Sequence, residues 1–135
     1  MTVALHDIAS RVDIERMVDG FYARVQVDPL LGPIFNDVAA TDWATHLPKM
    51  YAFWDGVLFA TPGFRGNPLA VHLALGQKVA LGQPEFDRWL QLFHQTNDEL
   101  FAGPMATEAK ARSMRIAGVM QHHLSGATGV PLVRR

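Results

Sequence analysis

Apolar side chains recur at helical intervals in four stretches of the chain, separated by segments rich in glycine and proline. The first carries Ile14, Met17, Val18, Phe21, Tyr22 and Val25 at i, i+3, i+4 and i+7 spacing, with Asp13 placed to cap the helix and Asp28-Pro29 to stop it. The second carries Leu47, Met50, Tyr51, Phe53, Trp54, Val57 and Leu58, a band wide enough to be buried against more than one neighbour. Its entry lies between Thr41 and Thr45. With Thr45 as the cap, Pro48 falls in the first turn, where amide hydrogens lack an intrahelical partner, and His46 stands at the helix mouth. Thr61-Pro62-Gly63 closes this stretch. The third opens at Gly82-Gln83-Pro84, with Glu85 and Asp87 suited to its positive end, and carries Phe86, Trp89, Leu90, Phe93, Asn97, Leu100 and Phe101 before Gly103-Pro104 ends it. The fourth runs from near Thr107 to about Leu124, with Ala109, Met114, Ala117, Met120 and Leu124 directed inward. No strand alternation and no internal repeat interrupts the pattern, which predicts an all-α fold.

Two short segments complete the reading. Pro29 to Phe35 holds two prolines and a glycine, so it reads as a turn or a single helical turn that drives Ile34 and Phe35 inward. Residues 66–76, Gly66-Asn67-Pro68-Leu69-Ala70-Val71-His72-Leu73-Ala74-Leu75-Gly76, set one histidine inside an apolar run. An imidazole there either hydrogen-bonds within the core or gives a nitrogen lone pair to a metal. Asn67-Pro68 and Gly76 confine its helix to about two turns, marginal on propensity alone. An iron–nitrogen bond would hold such a segment in place.

Composition narrows the chemistry. The 135 residues make one domain, taken as residues 1–124, with the glycine-rich residues 125–135 as a loose tail. Net charge is -1 without a basic stripe, so neither nucleic acid nor an anionic membrane is an expected partner. The absence of cysteine removes disulfides, thiolate metal sites, a thiol nucleophile and covalent haem attachment. The sequence shows no apolar run of membrane-spanning length and no leader pattern, and a cytoplasmic protein is expected. No glutamate is followed three residues later by histidine, and no His-Glu-x-x-His, Gly-x-Ser-x-Gly or phosphate-cradling glycine motif occurs.

What remains is His72 together with Tyr22, His46 and Trp89 on other apolar faces. Each has an ordinary reading. Tyr22 and Trp89 serve as core rings whose polar atoms need a partner, His46 as a solvated helix end, Phe35 as a plug and Met50 as gap filler. Taken together they suit a metal cofactor with one protein ligand. His122-His123 do not, because adjacent helical residues splay about 100° apart.

The order of these pieces resembles the truncated haemoglobins, and more narrowly their third group. The similarity runs from about residue 12 to about 124 and rests on Phe21-Tyr22-Ala23-Arg24-Val25, Asp28 to Phe35, His46 to Trp54, Asn67-Pro68 to His72, and Phe86-Asp87-Arg88-Trp89-Leu90. The first two groups carry glycine pairs flanking their haem loops, and this chain has none. The resemblance implies a shortened globin, two helices crossed over two around a haem b held non-covalently. It implies His72 as proximal iron ligand, Phe35 packed on the haem face, and Tyr22 and Trp89 as hydrogen-bond donors on the distal side. His46 would stand at the distal entrance, with Leu47 and Met50 as apolar walls, Phe53 and Trp54 farther along the same helix, and Lys49 and Arg65 as propionate partners.

Three functions follow from this reading. The first is a monomeric b-type haem protein that reversibly binds oxygen, carbon monoxide and nitric oxide and is served by an unidentified reductase. The second is a haem enzyme, in which the same pocket turns over nitric oxide with oxygen or activates peroxide. The third is a haem-free helical binding module in which His72 is only a core residue.

Overall fold

The computed structural model describes residues 4–38, 42–60 and 82–127. The expectations placed on His72, on Arg65 and on the short segment between Asn67 and Gly76 lie outside the described residues. The described chain is helical: α1 (Arg11–Val27), a one-turn α2 (Leu31–Pro33) running into a π-helical turn (Ile34–Val38), α3 (Trp43–Phe59), α4 (Gln83–Leu100) and α5 (Pro104–Ala127). Among the described residues there is no strand, and no helix is long and apolar enough to cross a membrane.

Helix α1 is the hub, packing on α2, α3 and α4, while α4 also packs on α5. Its expected stripe is buried in full, from Ile14 through Met17, Val18, Phe21 and Tyr22 to Val25. Met50 and Trp54 of α3 and Phe86, Trp89, Leu92 and Phe93 of α4 close on it, and Ala106, Ala109, Ala117 and Met120 of α5 complete the core. One inward assignment on α5 is wrong: Met114 is 56 % exposed. At about 100° per residue it stands roughly 140° from Ala109 and roughly 120° from Met120, so Met114 falls off the buried face.

Three helix starts differ from the sequence reading. Helix α1 begins at Arg11 after Ser10, whose side chain makes no capping bond. Asp13 is instead the third helical residue, buried, and its carboxylate accepts the Ala9 amide at 2.9 Å. Helix α3 begins at Trp43 with Asp42 at its N-cap, and Thr45 donates its hydroxyl to the Asp42 carboxylate at 2.9 Å. Pro48 therefore sits inside the helix and leaves the Ala44 carbonyl without its usual donor. Ala44, Thr45, Pro48 and Lys49 are all exposed, so water can serve that carbonyl. Helix α5 opens at Pro104 rather than near Thr107 and continues to Ala127, past Leu124.

The cap of α5 comes from the far end of the chain. Asp7 accepts the amides of Met105 and Ala106, each at 2.9 Å, which satisfies two of the orphan donors at that helix start. Those hydrogen bonds, together with that of the Ile8 amide, hold its carboxyl below the usual range against a desolvation that raises it. Gly103 makes the approach feasible: its φ is +147°, and a Cβ there would lie 2.5 Å from Asp7 Cγ.

Candidate functional site

Tyr22 is set by the α1 stripe and is buried to within 1 %. Desolvation alone pushes its phenol well above the ordinary range, so it remains a neutral donor. Its ring meets Phe35 at 6.5 Å, Trp43 at 5.4 Å and His46 at 5.3 Å, the last edge-on at 86°. Trp43 in turn lies 6.2 Å from Phe35 and 5.6 Å from His46. Four rings from α1, the π turn and the first turns of α3 thus form one shell.

The corner that delivers Phe35 is tightly fixed. Asp28 ends α1, and its Oδ2 accepts the amides of Leu30 and Leu31 at 3.1 and 3.0 Å. Gly32 permits the close return: a Cβ there would meet the Gln26 carbonyl oxygen at 2.8 Å. The π turn then widens the helix by a residue and buries both Ile34 and Phe35, as expected from the proline-rich stretch. Asn36 ties the turn to its neighbours, donating to the Gln26 carbonyl at 2.9 Å and accepting the Trp43 indole N–H at 3.2 Å.

Trp89 comes from α4 and packs on α1 through Phe21. It stands edge-on to Phe21 at 5.4 Å and parallel to Phe93 at 5.9 Å. Its residue exposure is 7 %, yet the indole Nε1–H has no hydrogen-bond partner among the described residues. An orphaned buried donor costs about 1–3 kcal/mol, so the position calls for an acceptor. Tyr22 and Trp89 are linked through the Phe21 ring, which lies 4.7 Å from Tyr22. The preceding residue, Arg88, grips Asp28 through Nε and Nη2 at 2.7 and 2.6 Å. Burial raises the Asp28 carboxyl, but Arg88 and the two amides outweigh it and hold the group below the usual range. One carboxylate therefore fixes α1, the Phe35 corner and the Trp89 turn of α4 against one another.

The remaining expected residues fall along α3. His46 is half-buried, four positions into the helix, and Met50, one turn on, is buried. Leu47 and Phe53 are half-buried, whereas Lys49 is exposed. Trp54 is stacked on Phe93 at 4.9 Å, between α3 and α4. Sequence reasoning passed over Trp43 because a cap at Thr45 leaves it outside the helix. With the helix begun at residue 43, it stands one turn before His46 and on the same side. The Asp28–Arg88 pair spans 60 positions and has no local signal.

Comparison with known proteins identifies the family. A family model described as bacterial-like globin matches residues 5–124. The group 3 truncated haemoglobin ctb of Campylobacter jejuni is 32 % identical over 114 residues, covering 82 % of this chain and 87 % of that protein. The crystal structure of the group III truncated haemoglobin from Campylobacter jejuni superposes with a TM-score of 0.76 at 29 % identity, covering 89 % of this chain and 94 % of that one. The chain belongs to the bacterial-like globins, as a haem-binding globin of the third group of truncated haemoglobins.

Proposed function

We propose that this globin holds a non-covalent haem b and binds oxygen and other diatomic ligands, with Tyr22 and Trp89 donating hydrogen bonds to the bound ligand. The observation that carries this reading is the buried Trp89 N–H without a partner among the described residues, joined through the Phe21 ring to a buried, neutral Tyr22. Two such donors, both packed on the Phe21 ring, suit a small ligand that becomes partly negative when bound. Haem, when bound, would supply the iron that takes up that ligand.

The chain's part is to hold the group and shape its surroundings. Phe35, Leu47 and Met50 offer an apolar face, and His46 stands at the edge of the shell against Tyr22 and Trp43. Phe53 continues that face. Lys49, exposed on α3, is suited to a propionate at the solvent side, and Arg65 is assigned the same task on sequence grounds. His72 is the proximal ligand in this reading, and a reductase maintains the iron in its reduced state. An absorption spectrum tests the reading directly. The purified or haem-supplemented protein should show a Soret band that is lost in His72→Ala. A colourless protein after supplementation would overturn it, and so would a His72→Ala variant with full haem content and an unchanged spectrum.

A further inference from the structure

The shell holds rings of two kinds, and they are not distributed evenly. Phenylalanine cannot be oxidised by the oxidants a haem site generates, whereas tyrosine and tryptophan can. Trp89 has Phe21 and Phe93 as its ring neighbours among the described residues, and beyond Phe93 lies Trp54, itself buried. Among the described residues that side is walled by phenylalanine rings, and the oxidisable ring behind them, Trp54, is buried. Tyr22 is different, because it meets Trp43 at 5.4 Å, and Trp43 is only half-buried. A continuous pair of electron-rich rings therefore leads from the deepest donor to the protein surface at the start of α3.

We infer that Trp43 is a second, surface-side site of one-electron exchange, through which the pocket oxidises phenol-type donors too large to enter it. The inference rests on the haem reading and adds a substrate class and an exit route to it. Hydrogen peroxide is the oxidant. Breaking its oxygen–oxygen bond to give two waters takes up two electrons and two protons. Two phenols supply them in separate steps, each losing one electron and one proton and leaving as a phenoxyl radical. In each step Trp43 gives an electron inward and recovers one from the phenol docked against it.

The local chemistry suits Trp43 for this cycle. Its indole N–H donates to the Asn36 side-chain carbonyl at 3.2 Å, and an amide is too weak a base to remove the proton. The oxidised indole stays a radical cation, a stronger oxidant than the deprotonated radical and able to take an electron from a phenol. Tyr22 acts as the bridge rather than as a resting place. Burial already pushes its phenol far above the ordinary range, and a tyrosine that lost an electron there would have to shed its proton within the core. The electron crosses its ring and the charge settles on Trp43.

The test uses the haem-loaded protein and stoichiometric hydrogen peroxide. A Soret band before peroxide is added establishes the haem reading independently, so its absence fails that reading and not the relay. With haem present, freeze-quenched electron paramagnetic resonance should show a tryptophan radical, and peptide mapping should place added oxygen on Trp43 ahead of Trp54 and Trp89. This first arm needs no substitution and survives any folding defect in a variant. Trp43→Phe should then abolish that radical and lower turnover of a bulky phenol at least tenfold relative to a small one. Oxidation concentrated on Trp89, Trp54 or Tyr22 in the unsubstituted protein would overturn the inference. So would equal losses for bulky and small phenols in Trp43→Phe, or a haem-loaded protein that consumes no peroxide.

Discussion

On the proposed function, single side chains decide how a bound ligand is held. Tyr22 and Trp89 are alike in burial but not in what replaces them. Tyr22→Phe deletes a hydroxyl and keeps the ring, while Trp89→Phe also removes volume between Phe21 and Phe93, so the second should cost more stability than the first. Comparing thermal midpoints of the two variants checks this, and a larger fall in Tyr22→Phe would count against it. His46 is half-buried and makes its ring contacts at the edge of the shell, against Tyr22 and Trp43. On the proposed function it gates entry rather than holding the ligand. His46→Ala should change association rates more than dissociation rates, and flash photolysis with rapid mixing separates the two. A large rise in the oxygen dissociation rate at unchanged association would show that His46 holds the ligand.

At the scale of elements, the carboxylates of Asp7 and Asp28 do most of the positioning, and their long-range partners leave no trace in the helical pattern. The pattern does reveal the apolar stripes of α1 and α4, the inward turn at Phe35, and the stops at Asp28 and Gly103, because each is encoded within a few residues. Helix starts were misread wherever the cap was not the nearest Ser, Thr or Asp ahead of the apolar run. Asp42 caps α3 three residues ahead of Thr45, and Asp7 caps α5 from 98 residues away. Replacing Asp7 by alanine should cost about 1–2 kcal/mol, the ordinary worth of a lost cap. Gly103→Ala should cost at least as much, because its φ is strained for any other residue and the new Cβ would run into Asp7. Urea unfolding reads both, and a neutral Gly103→Ala would contradict the close approach. Asp28 joins three elements. Its side chain is 2 % exposed but Arg88 is 34 % exposed, so solvent weakens the pair and Asp28→Asn should cost about 1–3 kcal/mol rather than the full worth of a buried pair. A circular dichroism melt that did not move would remove this pair from the account.

For the molecule as a whole, the titrating groups bound the pH range of stability. Asp7 and Asp28 are held below their ordinary carboxyl range in the fold, so their contribution is present above the unfolded value of about 4 and drains away as pH falls through the lower folded values. Tyr51, bonded to Asp19, is pushed up to about 12, and Tyr22 is raised by burial. Their contribution is present below the unfolded value of about 10 and is lost as pH rises beyond it, because the unfolded chain then sheds protons that the folded one keeps. Stability should therefore fall on both flanks, and Tyr51→Phe should flatten the alkaline one. Haem enters the same balance. A group bound only by the folded chain adds about 4 kcal/mol at a thousandfold excess over its dissociation constant, so the apoprotein should melt below the haem-loaded form. The assignment of His72 to the iron rests on the sequence alone, because His72 lies outside the described residues. The orphaned Trp89 donor was legible only as a need, since a stripe gives burial but not the absence of a partner.

The measurement closest to the central claim is the dissociation of oxygen and of carbon monoxide from Tyr22→Phe, Trp89→Phe and the double variant. Oxygen becomes markedly negative when bound and carbon monoxide does not. A hydrogen bond to a charged acceptor is worth about 1.5–3 kcal/mol, or roughly 10-fold to 150-fold in rate. Oxygen release should accelerate within that range in each single variant and non-additively in the double, because two donors share one acceptor. Carbon monoxide release should change little. Equal acceleration of both gases, or no acceleration of oxygen, would contradict the account.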